Sequence, residues 1–65
     1  MNVGKSIKIA IVRNDRSTKW LANQMDVSIT RVNQMKSQTA VNTSTLERLA
    51  SVFNMQVSEF VALGE

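Results

Sequence analysis

Apolar residues recur along the chain in short bursts, separated by polar breaks at Asn14-Asp15-Arg16, around Asp26, from Ser37 to Asn42 and at Asn54. The first burst, roughly residues 3 to 13, reads in two ways. Val3, Ile7, Ala10 and Ile11 follow a helical spacing, whereas Ile7-Lys8-Ile9-Ala10-Ile11 also alternates like a strand rich in β-branched residues. Length and the lack of a partner hairpin favour the helix. A second helix is predicted from the N-cap residue Ser17 to about Met25, with Leu21, Ala22 and Met25 on one face. Asp26 interrupts it and Val27 follows as a lone apolar residue. Ser28 offers another N-cap for a helix of about nine residues that turns Val32 and Met35 inward. A fourth helix starts either at Asn42 or, two residues later, at the capping-box pattern Ser44-x-x-Glu47. Leu46, Leu49, Ala50 and Phe53 form its stripe, and Asn54 is a candidate left-handed residue at its end. The last piece, about Val57 to Leu63, presents Val57, Phe60 and Val61 and stops at Gly64.

Composition supports this all-α reading of five short helices. The chain has 65 residues, no Pro and two Gly, both near the ends, which is poor material for tight turns and hairpins. Asp26 and Asn54 are therefore the expected points where the backbone turns left-handed without glycine. A chain of this length forms one domain, residues 1–65, and buries only about 60 % of its unfolded surface. The absence of Cys and His removes disulfides and Cys/His metal sites as staples, so helix packing has to suffice. No apolar run reaches the roughly 18 residues of a membrane span. Without a recognisable signal peptide, a cytoplasmic location is the default expectation.

Charge is unevenly spread. Residues 1 to 36 hold seven basic side chains against two acidic ones, a balance of +5, whereas residues 37 to 65 hold one against three, or −2. That asymmetry suits a face made for a polyanion, although a modest excess can also be mere solvation. An enzyme is not expected: no His or Cys is present, the five acids are scattered, and no Gly-rich phosphate loop occurs. No catalytic residue, metal site, cofactor or small-molecule ligand is expected.

The segment from Thr18 to Lys36 carries the functional signal. A helix-turn-helix needs two short helices crossing steeply over a three- to four-residue turn. Such a crossing wants a small residue at the closest approach, a turn residue that tolerates unusual backbone angles, and an apolar plug after it. Ala22, Asp26 and Val27 stand at those places, and Leu21, Met25, Val32 and Met35 complete the register.

On these residues, with Leu46-x-x-Leu49-Ala50 and the Val52 to Val57 region, the chain resembles the five-helix domain of lambdoid phage repressors, Cro proteins and related XRE-type regulators. The resemblance spans nearly the whole sequence. It implies a lambda-repressor-like fold and sequence-specific binding of a double-stranded DNA operator, with the third helix in the major groove. It further implies a homodimer, at least on DNA, reading two half-sites about one helical turn apart. Two positions depart from the family pattern. Asp26 replaces the usual turn glycine, and Trp20 stands where a capping Glu is common.

The third helix supplies candidate base contacts in Ile29, Thr30, Arg31, Asn33 and Gln34. Arg pairs bidentately with guanine and Asn or Gln with adenine, and Ile29 suits a thymine methyl. Of these, Ile29, Thr30 and Gln34 match the family's base-reading positions. An exposed polar face is ordinary on any helix, but this one lacks the usual Glu/Lys mixture. Candidate phosphate contacts are Ser17, Thr18 and Lys19 at a helix N-terminus, Ser28, and Lys36, Gln38 and Asn42, with Ser37 and Thr39 in the same loop. Ser17, Ser28 and Asn42 also serve as caps whatever else they do. Trp20 is expected to pack laterally on its own domain. The competing reading is a small protein-interaction module, antirepressor-like, for which Trp20 and Leu63 would matter more than Arg31 or Gln34.

Overall fold

Four of the five helices begin where a short side chain satisfies a free amide. In the computed structural model, which describes all 65 residues, five helices follow one another: α1 (Val3–Arg13), α2 (Thr18–Met25), α3 (Ile29–Lys36), α4 (Thr43–Val52) and α5 (Val57–Ala62). Asn2, Ser17, Ser28 and Asn42 cap the first four, accepting from the backbone N–H of Lys5, Trp20, Arg31 and Thr45 at 2.7–3.1 Å. Each such cap is worth about 1 kcal/mol. The first burst is thus helix, as its length favours. Of the two starts open for the fourth helix, Asn42 is the one used. The capping-box pairing occurs elsewhere, at α5, where the Gln56 backbone N–H donates to Glu59 Oε1 at 3.1 Å.

Three helices end in the same way, with a non-glycine residue in the left-handed region: Asp15 (φ 51°), Asp26 (φ 56°) and Asn54 (φ 56°). The residue after each reaches back five positions. Arg16 donates to the Ile11 carbonyl (2.9 Å), Val27 to Ala22 (3.0 Å) and Met55 to Ala50 (2.9 Å). These are Schellman closures, which satisfy carbonyls that a helix end leaves open. Two of the three positions were expected; Asp15 is an addition. The Asn14-Asp15 pair has the right chemistry, since Asn and Asp enter this region more readily than other residues.

Val3, Ile7, Ala10, Ile11, Leu21, Ala22, Met25, Val32, Met35, Leu49, Ala50, Phe53 and Phe60 form one buried cluster. α2 packs on α3 and α4, α1 on α3 and α5, and α4 on α5. All three aromatic residues of the chain lie in a row. Phe53 sits 5.7 Å from Trp20 and 6.2 Å from Phe60, between ring centroids, and so ties α2, α4 and α5 together. At the outer end the Arg16 guanidinium lies 4.8 Å over the Trp20 ring, a cation–π contact.

Both glycines mark close approaches. A Cβ at Gly4 would strike the Lys36 carbonyl oxygen and come within 2.8 Å of that of Gln38, and at Gly64 it would strike the Asn2 carbonyl oxygen. At the first of these contacts the backbone N–H of Val3 and Gly4 donate to the Thr39 and Gln38 carbonyls, at 3.0 and 2.8 Å. The open N-terminus of α1 thereby holds the loop that follows α3.

Candidate nucleic-acid interface

α3 turns Val32 and Met35 into the core and leaves Ile29, Thr30, Arg31, Asn33 and Gln34 exposed. Every candidate base contact is therefore solvent-exposed on one helix. Ile29 is among only three large apolar side chains that remain exposed. A helix of 3.6 residues per turn puts Thr30, Asn33 and Gln34 opposite the buried Val32 and Met35. Ile29, three before Val32, and Arg31, four before Met35, border the buried stripe and are exposed in the first turn of the helix. The turn that aims α3 is the Asp26 closure, with Val27 half-buried against the core after it.

The candidate phosphate contacts divide by position. Ser17, Thr18 and Lys19 lead into α2, where the amides of Thr18 and Lys19 bond no acceptor in the chain. Lys36 ends α3, and its Nζ donates to Thr18 Oγ1 at 3.0 Å. Two residues picked for phosphate on separate grounds thus lie in contact, 18 positions apart in sequence. The Lys36 ammonium thus stands at the positive end of α2, while Lys36 itself, in the last turn of α3, balances the negative end of that helix. Ser28 and Asn42 are exposed and engaged as caps, and Gln38 is exposed in the loop that α1 holds. Ser37 Oγ is turned back onto the Gln34 carbonyl (2.8 Å), closing the end of α3.

Two residues that matter to the geometry carry no obvious sequence signal. Arg48, the lone base of the acidic half, donates from its guanidinium to the Met25 carbonyl across 2.6 Å. Gly4 sets the distance between α1 and the end of α3. The hint for Gly4 is its position inside a helical pattern, where glycine weakens the helix unless another chain segment comes close. Trp20 and Leu63, the residues an interaction module would expose, are both half-buried and packed on the core. Phe60 is fully buried and Val61 half-buried, so the final helix spends its apolar face inside.

Two capped helices over a left-handed turn, with a polar outer face on the second and a cation-lined entry to the first, are what a reader of DNA requires. The sequence model of the Cro/C1-type helix-turn-helix DNA-binding domain matches residues 7–63. The chain belongs to this family. No curated protein and no solved structure matches the chain. Membership implies DNA binding by a lambda-repressor-like domain and sets the protein among binding proteins rather than enzymes. None of its helices is long and apolar enough to cross a membrane.

Proposed function

We propose that the protein is a sequence-specific transcriptional regulator, a Cro- or repressor-like protein of a phage, prophage or mobile element. It acts as one DNA-reading unit, laying α3 in the major groove of an operator and excluding polymerase or a rival repressor. Thr30, Arg31, Asn33 and Gln34 read base edges, and Ile29 covers a thymine methyl. Two copies bind each operator, one per half-site.

The observation that carries this reading is the Lys36–Thr18 contact. It joins the end of the base-reading helix to the start of α2, where a phosphate would meet an ammonium, a hydroxyl and two free amides together. One bound phosphate would then fix the register of α3 along the groove. Ser17, Lys19, Ser28, Gln38 and Asn42 contribute further backbone contacts around it.

Operator selection from random duplexes, followed by salt-dependent titration, tests the proposal. Gln34→Ala is expected to lose about 1–3 kcal/mol at one base pair and to relax preference there. Lys36→Met is expected to weaken all sequences alike and to lower the salt slope by about one. Stoichiometry on the selected duplex should be two chains per site. Absence of any salt-sensitive DNA binding overturns the reading.

A further inference from the structure

The exposed side of α1 and the cleft between α4 and α5 are left unused by DNA reading, and they are complementary to each other. Val12 is 78 % exposed, the most open large apolar side chain of the protein. It stands beside Ile9, between Lys8 and Arg13, on the outer surface of α1. The α4–α5 cleft, about 550 Å³, is lined by Ala50, Met55 and Val57 together with Ser51, Asn54 and Gln56, and carries Glu47 and Glu59. One oxygen of Glu59 accepts from the Gln56 amide, leaving the carboxylate its charge. Arg48, the only base among residues 37 to 65, is engaged on the Met25 carbonyl. On α1, Lys8 and Arg13 are exposed, whereas Arg16 is engaged on Trp20.

We propose that these two surfaces bind one another between copies of the chain: Val12 of one copy seats in the α4–α5 cleft of the next, with Lys8 and Arg13 facing its Glu47 and Glu59. The occupant is a second copy because the same chain presents both an apolar knob flanked by cations and a cleft of mixed polar and apolar lining that carries carboxylates. Opposed charges across a contact set orientation and suppress the like-with-like pairings, α1 on α1 and cleft on cleft. The contact is heterologous, so it leaves a free knob at one end and a free cleft at the other and can repeat. Surfaces this small fall well short of the roughly 1,200 Å² of a stable interface, so the contact is weak in free solution and favoured where copies are already held side by side. It is distinct from pairing over one operator, and it does not depend on DNA being the ligand.

The chain has no Cys, so single cysteines can test it cleanly. Val12→Cys and Ser51→Cys change one exposed residue each, on the knob and on the rim of the cleft. The two proteins, mixed in equal amounts without DNA under mild oxidation, are expected to give the mixed disulfide in several-fold excess over both self-linked products together. Adding Glu47→Lys to the Ser51→Cys protein should remove that excess, and adding Lys8→Glu to the Val12→Cys protein should restore it. Statistical proportions of the three products overturn the proposal. So does a predominance of Val12→Cys self-linking, which would mean that two α1 helices meet about a two-fold axis.

Discussion

Arg48 on α4 donates to the main-chain carbonyl of Met25, the last residue of α2, at 2.6 Å. The cation meets the negative end of the α2 dipole and one of the carbonyls that the helix leaves open there. Because Asp26 turns the chain left-handed at the next residue, this bond from α4 braces the turn that aims α3. A base from the acidic half thus helps to orient the helix that carries the DNA-facing side chains.

Replacing Arg48 by Met keeps an aliphatic stem and removes the bond. Hydrogen bonds to charged groups contribute about 1.5–3 kcal/mol. Arg48 is largely exposed, so the loss is expected near the lower end of that range. Urea unfolding followed by the fluorescence of Trp20, the single tryptophan, measures it. Arg48→Lys should recover only part, because an ammonium has a shorter reach than the guanidinium fork.

Left-handed Asp26 costs the chain stability that glycine would not. For an ordinary L-residue this region costs about 1–2 kcal/mol, less for Asn and Asp. Asp26→Gly is therefore expected to raise unfolding stability by about 0.5–1 kcal/mol, after the greater freedom of glycine in the unfolded chain is allowed for. Asp26→Val should lower it, since a β-branched side chain is a poor fit at φ 56°. Equal stability of the Gly and Val proteins would contradict the left-handed turn.

Gly4→Ala sets two effects against each other. Alanine gains about 1 kcal/mol over glycine in a helix interior and less in the first turn, where Gly4 lies. Its Cβ, however, would meet the Lys36 and Gln38 carbonyls, which are backbone and cannot swing aside. Overpacking of this kind costs about 1–3 kcal/mol, so the net change should be destabilising. The loop after α3 would be pushed outward as well. Amide exchange at Val3 and Gly4, which bond Thr39 and Gln38, is expected to accelerate.

Phe60 is fully buried at the end of the aromatic row. Truncating a buried Phe to Ala costs about 3–5 kcal/mol. A chain of this length has only about 3–10 kcal/mol in total, at roughly 0.05–0.15 kcal/mol per residue. Phe60→Ala should consequently lose a third or more of that total, and its urea midpoint by circular dichroism should fall sharply. Phe60→Leu should fold with reduced stability.

Helices, caps and core were legible because each depends on residues a few positions apart. The spacing of Leu21, Ala22 and Met25, or of Leu49, Ala50 and Phe53, states which side of a helix is apolar, and all six are buried. Ser17, Ser28 and Asn42 cap as expected for the same local reason. Where two local patterns competed, proximity in sequence could not choose. Asn42 and Ser44 were both fair starts for α4, and the Asn42 side chain is the one that reaches an amide, that of Thr45 at 2.7 Å. Asp15 escaped because a polar break shows where a helix stops but not which residue turns left-handed.

The sequence by itself determined five helices, the capped helix-turn-helix register and the polar outer side of α3, since hydrogen bonding and helical periodicity act over one or two turns. Tertiary structure alone decided that Lys36 meets Thr18 across 18 residues and that Arg48 meets Met25 across 23. It alone put Gly4 against the end of α3 and set every aromatic ring in one row. Those relationships depend on how whole helices pack. Packing follows from the combined shape of many buried side chains, so no single stretch of sequence contains it.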